Sequence, residues 1–460
     1  MPKRRKQIRN LIFAVLVLLL LGGGYLLAVR WEPKTDNGEG TPTAAANVIT
    51  LFQAQSDEVR AVSIQNPNQT YTLYQDDDGN FSIPELSDIP FQQMSLKSAF
   101  SGFLTVTAER KITDDLSRAA EFGLDRGDTS FTVQKKDGAK VRFLVGDNLP
   151  GESSCYMMQE GGDGIYALSS YKADTLLQST NSFRSKNLFS VSTDSITAFS
   201  VAHGGETLLK ARLAAEGEKP LNAYQCVWVA ETPCAGEGAS EDRIGTLLKN
   251  FASVAVSDFA DDHPGDLSRY GLGNDAYILT IETAADTYTL RIGAACENGV
   301  YFQCGSEPFV YIGDSAYLDA FSGFDPMQYI QKFVRIAPID EVSSVEIQKD
   351  GRTMTLTIGD GDEEENEDKY QINGKTTKAD NFKKIYQQVI GILFVNSAAH
   401  SEAADPFMTV TYHFKDGTAD TSRYFAYDER YYLAERSDGK CFTVLKSTLN
   451  DLFSTLDAAN

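Results

Sequence analysis

The sequence predicts an α+β protein: an N-terminal transmembrane helix followed by three tandem repeats, each an antiparallel sheet with a packed helix. Three observations predict it. An uncharged run of 19 residues, Leu11–Val29, follows a basic leader. One spacing of apolar residues opens a strand three times: Val59, Val62, Ile64; Ile196, Phe199, Val201; Val342, Val345, Ile347. A helical stripe at i, i+4, i+7 then returns in each segment.

The N-terminal elements come first. Lys3, Arg4, Arg5, Lys6 and Arg9 make residues 1–10 a basic tail. The run 11–29 would span about 28 Å as a helix, close to the ~30 Å hydrocarbon core. Gly22, Gly23 and Gly24 sit inside it, where lipid leaves the backbone no partner but itself. The basic flank stays cytoplasmic by the positive-inside rule, which places the rest of the chain outside the cytoplasm. The alternative is a cleaved leader. No Cys follows the run, which argues against a lipoprotein anchor. Residues 30–47 are polar and rich in Gly, Pro and Thr, and read as a flexible tether.

Three repeat domains follow, at 48–190, 191–332 and 333–460. After the opening strand each has a second strand, then a short one around Phe81, Trp228 or Tyr370. The helical stripes are Leu96, Phe100, Phe103; Ile244, Leu248, Phe251; and Phe382, Tyr386, Val389. The first two segments then share a local signature. It is Asp115-Leu116-Ser117-Arg118 with Phe122-Gly123-Leu124, against Asp266-Leu267-Ser268-Arg269 with Tyr270-Gly271-Leu272; the third segment lacks it. Alternating strands follow, broken by Asp137-Gly138 and Asp416-Gly417, a hairpin signal. Paired aromatics close each segment: Tyr156 and Tyr166, Tyr301 and Tyr311, Tyr432 and Phe442.

Composition narrows the function classes. The chain has 460 residues, 42 Lys+Arg and 64 Asp+Glu, for a net charge of −22. At 42% hydrophobic it has ample material for a core. Its acidity argues against nucleic acid, whose binders need a basic face. It has neither a phosphate-binding G-x-x-x-x-G-K-[ST] loop nor a G-x-G-x-x-G after a strand, so no nucleotide is expected. It has no G-x-S-x-G elbow.

No catalytic, cofactor or metal site is assigned. His203, His263, His400 and His413 are scattered, without H-E-x-x-H spacing. His263 in its acidic loop is the one conceivable cation ligand among them. Asp76-Asp77-Asp78-Gly79-Asn80 and the acidic run 360–368 do not keep a calcium-loop order and read as solvated hairpin tips. Cys155, Cys226, Cys234, Cys296, Cys304 and Cys441 occupy non-equivalent places, so the repeats share no disulfide framework. Mostly free thiols are expected, with Cys226/Cys234 and Cys296/Cys304 as the pairs spaced to bridge a hairpin. The sequon Asn68-Gln69-Thr70 carries little weight in a chain of bacterial character.

The leader KRRKQIRNLIFAVLVLLLLGGGYLLAV, the opening VRAVSIQNPNQTYTLYQDDDGNFSI and the turn Phe122–Asp125 together resemble a known family. So do FLVGDNLPGESSCYMMQEGGDGIYAL and the stretch 171–177. It is the bacterial membrane-anchored family carrying the domain of unknown function 4340. The resemblance is densest over 48–190, extends over 191–332 and thins beyond. It implies partners: an ABC transporter's ATPase–permease and an auxiliary extracytoplasmic protein of the gliding-motility type. It carries no catalytic residues.

The expected function is therefore a membrane-anchored, extracytoplasmic, non-enzymatic accessory or scaffold subunit of an ABC-type export or assembly system. The alternative is a surface module for cell-wall polymer or glycan, with Tyr71, Tyr74, Tyr156 and Tyr301 as a stacking platform.

Overall fold

Runs of alternating apolar and polar residues dictate strands, and here they dominate the chain. The computed structural model describes residues 48–169, 173–174, 176, 178–361, 369–399 and 405–458. These form five sheets, of two, eight, two, eight and nine strands, built from antiparallel pairs. The chain divides into two compact units, 48–70 with 100–177, and 71–99 with 178–458.

In the first unit Ile49–Gln53 pairs with Thr105–Ala108. The larger, eight-stranded sheet runs Phe81–Ser82, Thr70–Gln75, Val59–Gln65, Ser130–Lys135, Lys140–Asn148, Ser154–Gln159, Ile165–Ser169 and Arg110–Thr113. Its inward face carries Val62, Ile64, Phe131, Val133, Phe143 and Met157, all at most 2% exposed. Phe131 and Phe143 stack at 4.8 Å, and Phe103 tilts onto Phe131 at 5.1 Å.

The signature at Asp115 has a structural job. The Asp115 side chain accepts from the Ser117 backbone at 3.1 Å and from its hydroxyl at 2.6 Å, starting a 3-10 turn at Leu116–Phe122. Gly123, at φ 71°, ends the turn in the left-handed region. Phe122 and Leu124 then pack with Ile165, and Leu144, Tyr156 and Met158 surround them as a second, smaller core.

The second unit holds two large sheets. One runs Trp228–Thr232, Glu206–Leu213, Ile196–His203, Tyr277–Thr283, Thr287–Cys296, Gly299–Cys304, Val310–Gly313 and Asp258–Asp261. The other is built around Arg352–Ile358, Val342–Lys349, Met408–Phe414, Ala419–Ala426, Tyr431–Glu435 and Cys441–Leu445. The Asp266 turn repeats the chemistry of Asp115, with bonds to Ser268 of 2.9 and 2.7 Å and Gly271 at φ 68°.

Helices are present where the stripes predict them: α1 (Gln93–Gly102), α2 (Glu241–Asn250) and α3 (Ala379–Ile390). Ile244, Leu247 and Leu248 of α2 are buried, as are Phe382, Tyr386 and Val389 of α3.

The predicted α+β class, a transmembrane helix followed by three helix-packed tandem repeats, is corrected by this architecture. The described chain is mostly antiparallel sheet, in five sheets and two compact units. The physical reason is one of size. A helix of about 10–12 residues is about 15–18 Å long, whereas eight strands at about 4.8 Å span about 34 Å. One helix of that length therefore cannot cover a whole sheet. Among the described residues no helix is long and apolar enough to cross a membrane. The basic tail 1–10, the apolar run 11–29 and the tether 30–47 lie outside the described residues.

Candidate functional site

The most distinctive surface is built by one connection. In the second unit, residues 214–227 link Glu206–Leu213 to Trp228–Thr232; comparable links are shorter, at 76–80 and 359–369. A loop this long, without secondary structure of its own, is usually functional or disordered. This one is fixed. Ala214 donates its N–H to the Val227 carbonyl at 2.8 Å and closes the base. Arg212 forks onto Glu218 at 2.8 and 2.9 Å, and Glu218 also accepts from the Ala215 N–H at 2.8 Å. Asn222 is fully buried. It accepts from the Gly238 N–H at 2.6 Å and donates to the Gln331 carbonyl at 2.5 Å. The Ile336 N–H reaches the Leu221 carbonyl at 2.8 Å.

Gln225 adopts φ 54°, a left-handed conformation that a side-chain-bearing residue holds only at a cost. The result is a concavity of about 660 Å³ between this loop and Arg335, Ile336, Pro338 and Glu341. That volume lies within the range of ligand pockets. Leu213, Tyr224 and Val227 line it while 37%, 59% and 42% exposed. Three apolar side chains are thus held partly open to water beside one concavity.

The clamp has a pH signature. The Arg212 guanidinium, helped by the Ala215 N–H, pulls the Glu218 carboxyl down to about 2. An unfolded Glu titrates near 4.3. The clamp's contribution is therefore complete above about pH 4.3 and is lost as pH falls toward 2. Hydrogen exchange at the Ala215 amide should stay slow from pH 7 to 4 in the wild type, after correction for intrinsic rates. In Glu218→Ala, which has no side-chain acceptor, it should be fast throughout. Equal protection in both would remove the clamp.

The residues singled out in the sequence are not brought together. His263 lies 3.4 Å from Asp88, both exposed. His203 stacks on Tyr277 at 4.3 Å, and its buried Nδ1 has no hydrogen-bond partner among the described residues. His413 sits half-buried in Met408–Phe414. His400 and residues 362–368 lie outside the described residues. The Asp76 carboxylate accepts from Asp78, from the Asn80 backbone and from the Asn80 side chain, at 3.0, 2.8 and 3.0 Å. Its own hairpin thus occupies it, and those bonds hold its pKa below the usual range. Among the described residues no group of three His, Cys, Asp or Glu is placed to hold a metal ion.

Tyr71 is a core residue, 2% exposed, and burial pushes its hydroxyl up to about 12. Tyr74 is half-buried. Tyr156 packs on Phe122 at 4.4 Å, and Tyr301 meets Tyr270 edge-on at 5.0 Å. All six cysteines are free. Cys304 pairs with Leu290 while Cys296 pairs with Gly299. That places the two about 17 Å or more apart along the hairpin, beyond disulfide reach. The Cys226 thiol bonds the Trp228 carbonyl at 2.7 Å, and Cys234 packs on the Met327 sulfur at 3.9 Å. Burial raises the pKa of both thiols, which makes them poor nucleophiles.

Sequence reasoning missed two clusters that hold the second unit together. Glu237 and Arg436 are 0% and 2% exposed and meet in a fork at 2.8 and 2.5 Å. Lys440 reaches Glu237 at 2.7 Å, and Asp438 reaches Arg436 at 2.6 Å. Nearby, Arg335 meets Asp420 at 2.5 Å, and Ser437 bonds the other Asp420 oxygen. Partners 199 positions apart leave no local pattern in the sequence.

A family model described as "Domain of unknown function (DUF4340)" matches residues 82–262 and again residues 228–396. The match runs further toward the C-terminus than the resemblance read in the sequence, and it covers the loop 214–227 within its first copy. No curated protein and no solved structure matches the chain.

Proposed function

The chain belongs to the DUF4340 family, a domain of unknown function, and on that premise we propose a membrane-anchored, extracytoplasmic, non-enzymatic subunit that scaffolds an ABC-type export or assembly system. One observation carries the binding role: the clamped loop that holds Leu213, Tyr224 and Val227 open to water around a concavity. A folded surface of this kind is stabilised by covering it with a partner. The membrane placement rests on the sequence of the N-terminus, where a basic leader precedes the apolar run Leu11–Val29. The ATPase and permease would be other polypeptides.

The test is purification of the tagged full chain from native membranes in mild detergent. The permease and its ATPase should co-purify in stoichiometric amounts, and protease added from outside the cell should cleave the tagged body. Recovery of neither partner, or a body accessible only from the cytoplasm, overturns the proposal.

A further inference from the structure

We infer that the outer face of the large sheet in the first unit binds a sugar phosphate, at a concavity built around Lys140 and Arg142. The site follows from register. Val62, Ile64, Phe131, Val133 and Phe143 face the core, so the residues between them on each strand face out. Pairing sets Ser63 beside Thr132 and Thr132 beside Arg142, one row across three strands. Gln65 and Lys140 lie two residues from Ser63 and Arg142, on the same face. Glu160, just past the next strand, bonds the Arg142 carbonyl through its N–H at 2.9 Å. Together they line a concavity of about 450 Å³, within the range of small-molecule sites.

Charge selects the ligand. The lining carries two cations, Lys140 and Arg142, against the one carboxylate of Glu160, on a chain that is itself at −22. Both cations are uncommitted. Elsewhere in this unit Arg110, Arg118 and Arg126 are engaged by Glu152, Glu121 and Asp147. Among the described residues the side chains of Lys140 and Arg142 make no ion pair and no hydrogen bond. Arg142 is half-buried, so its charge is less screened by water than an exposed one and gains more from an anion.

The donors suit phosphate. A guanidinium fork takes two oxygens of an oxyanion, and an ammonium adds a point charge. The Thr132 hydroxyl beside Arg142 supplies a further donor, which matches the three terminal oxygens of a phosphate monoester. The space exceeds what phosphate alone fills, and its remaining lining is polar. Glu160 repels a bare anion but accepts from a ring hydroxyl, and the Gln65 amide can accept or donate. An anion carrying hydroxyls uses all of these groups. The sheet ladder fixes the row Ser63–Thr132–Arg142 before any ligand arrives, so binding costs little ordering of the backbone.

The test is isothermal titration calorimetry of the full chain in lipid nanodiscs at low salt, with glucose 6-phosphate, glucose and inorganic phosphate. Glucose 6-phosphate should bind at least tenfold tighter than glucose and at least threefold tighter than inorganic phosphate. The double variant Lys140→Gln with Arg142→Gln should lose at least tenfold in affinity for it, and Lys140→Gln alone about threefold. Both should keep the wild-type melting midpoint, because neither side chain has a partner to lose. Glu160→Gln keeps an acceptor and removes a like charge, so it should bind at least as tightly as wild type. The methyl phosphodiester of glucose stands for a unit of a phosphate-bearing glycan. Whichever of ester and diester binds tighter tells a free sugar phosphate from a polymer. Absence of binding by either up to about 10 mM overturns the inference. So does glucose binding as tightly as its phosphate, or indifference to both Lys140 variants. Inorganic phosphate binding as tightly as the ester also overturns it, leaving an adventitious ion only.

Discussion

Glu237→Ala should lower the stability of the second unit by about 3–5 kcal/mol, the usual effect of removing one partner from a buried ion pair. The cause is what stays behind. Arg436 is 2% exposed and its guanidinium forks onto Glu237. Without that carboxylate it retains Asp438 at 2.6 Å and the Val334 carbonyl at 3.3 Å, but half of its fork is unmatched. Lys440→Ala touches the same carboxylate and should cost under about 1 kcal/mol, because its side chain is 37% exposed and can be replaced by water. Chemical denaturation followed by the fluorescence of the buried Trp228 reports both. Glu237→Ala within about 1 kcal/mol of wild type would mean the pair is solvated in solution. The paired replacement Glu237→Leu with Arg436→Met should recover most of the loss, since apolar residues of similar volume need no partner.

The fold class departs from its prediction for a reason that local periodicity makes plain. Periodicity reports contacts within an element, and it located the helices correctly: Leu96 and Phe100, Ile244 and Leu248, Phe382 and Tyr386 are all buried. It also located the hairpins at Asp137-Gly138 and Asp416-Gly417, whose glycines sit at φ 92° and 88°. It gave helices too much weight, because a ten-residue stripe is a stronger signal than a strand such as Phe81–Ser82 or Ser397–Ala398. The site was less legible still. Nothing in residues 214–227 distinguishes them from a solvated loop until Asn222, Gln331 and Ile336 are placed beside one another. Tyr71 shows the converse. Placed in the stacking platform of the alternative glycan-binding reading, it lies in the core, because burial of an aromatic on a strand depends on which face the sheet covers.

Gly293→Ala should destabilise by about 1–3 kcal/mol, while Gly245→Ala in the same unit should stabilise by about 1 kcal/mol. Gly245 is exposed in α2, with nothing near the place a Cβ would occupy, so alanine adds only helix propensity. Gly293 lies under the Asp266 turn. A Cβ there would overlap the Tyr270 carbonyl oxygen and meet the Leu272 side chain at 3.0 Å. Gly146 stands in the same relation to the Phe122 carbonyl and to Leu124 at 3.1 Å, so Gly146→Ala should behave alike. Backbone cannot step aside as a flexible side chain can. The turn must lift off the sheet, taking Phe122 and Leu124 from their small core in one case and Leu272 from its burial in the other. The third large sheet differs at the equivalent place. Ile64, Val201 and Ile347 pair with Phe131, Leu279 and Val410, which pair in turn with Phe143, Leu290 and Ser422. Three residues beyond these stand Gly146, Gly293 and Phe425. The sheet with phenylalanine at this place is also the one whose sequence lacks the Asp-Leu-Ser-Arg turn. Turn and glycine are thus one device, present together or absent together. Thermal melts of the three variants separate the cases, and a Gly293→Ala protein as stable as wild type would show that the turn does not rest on that strand.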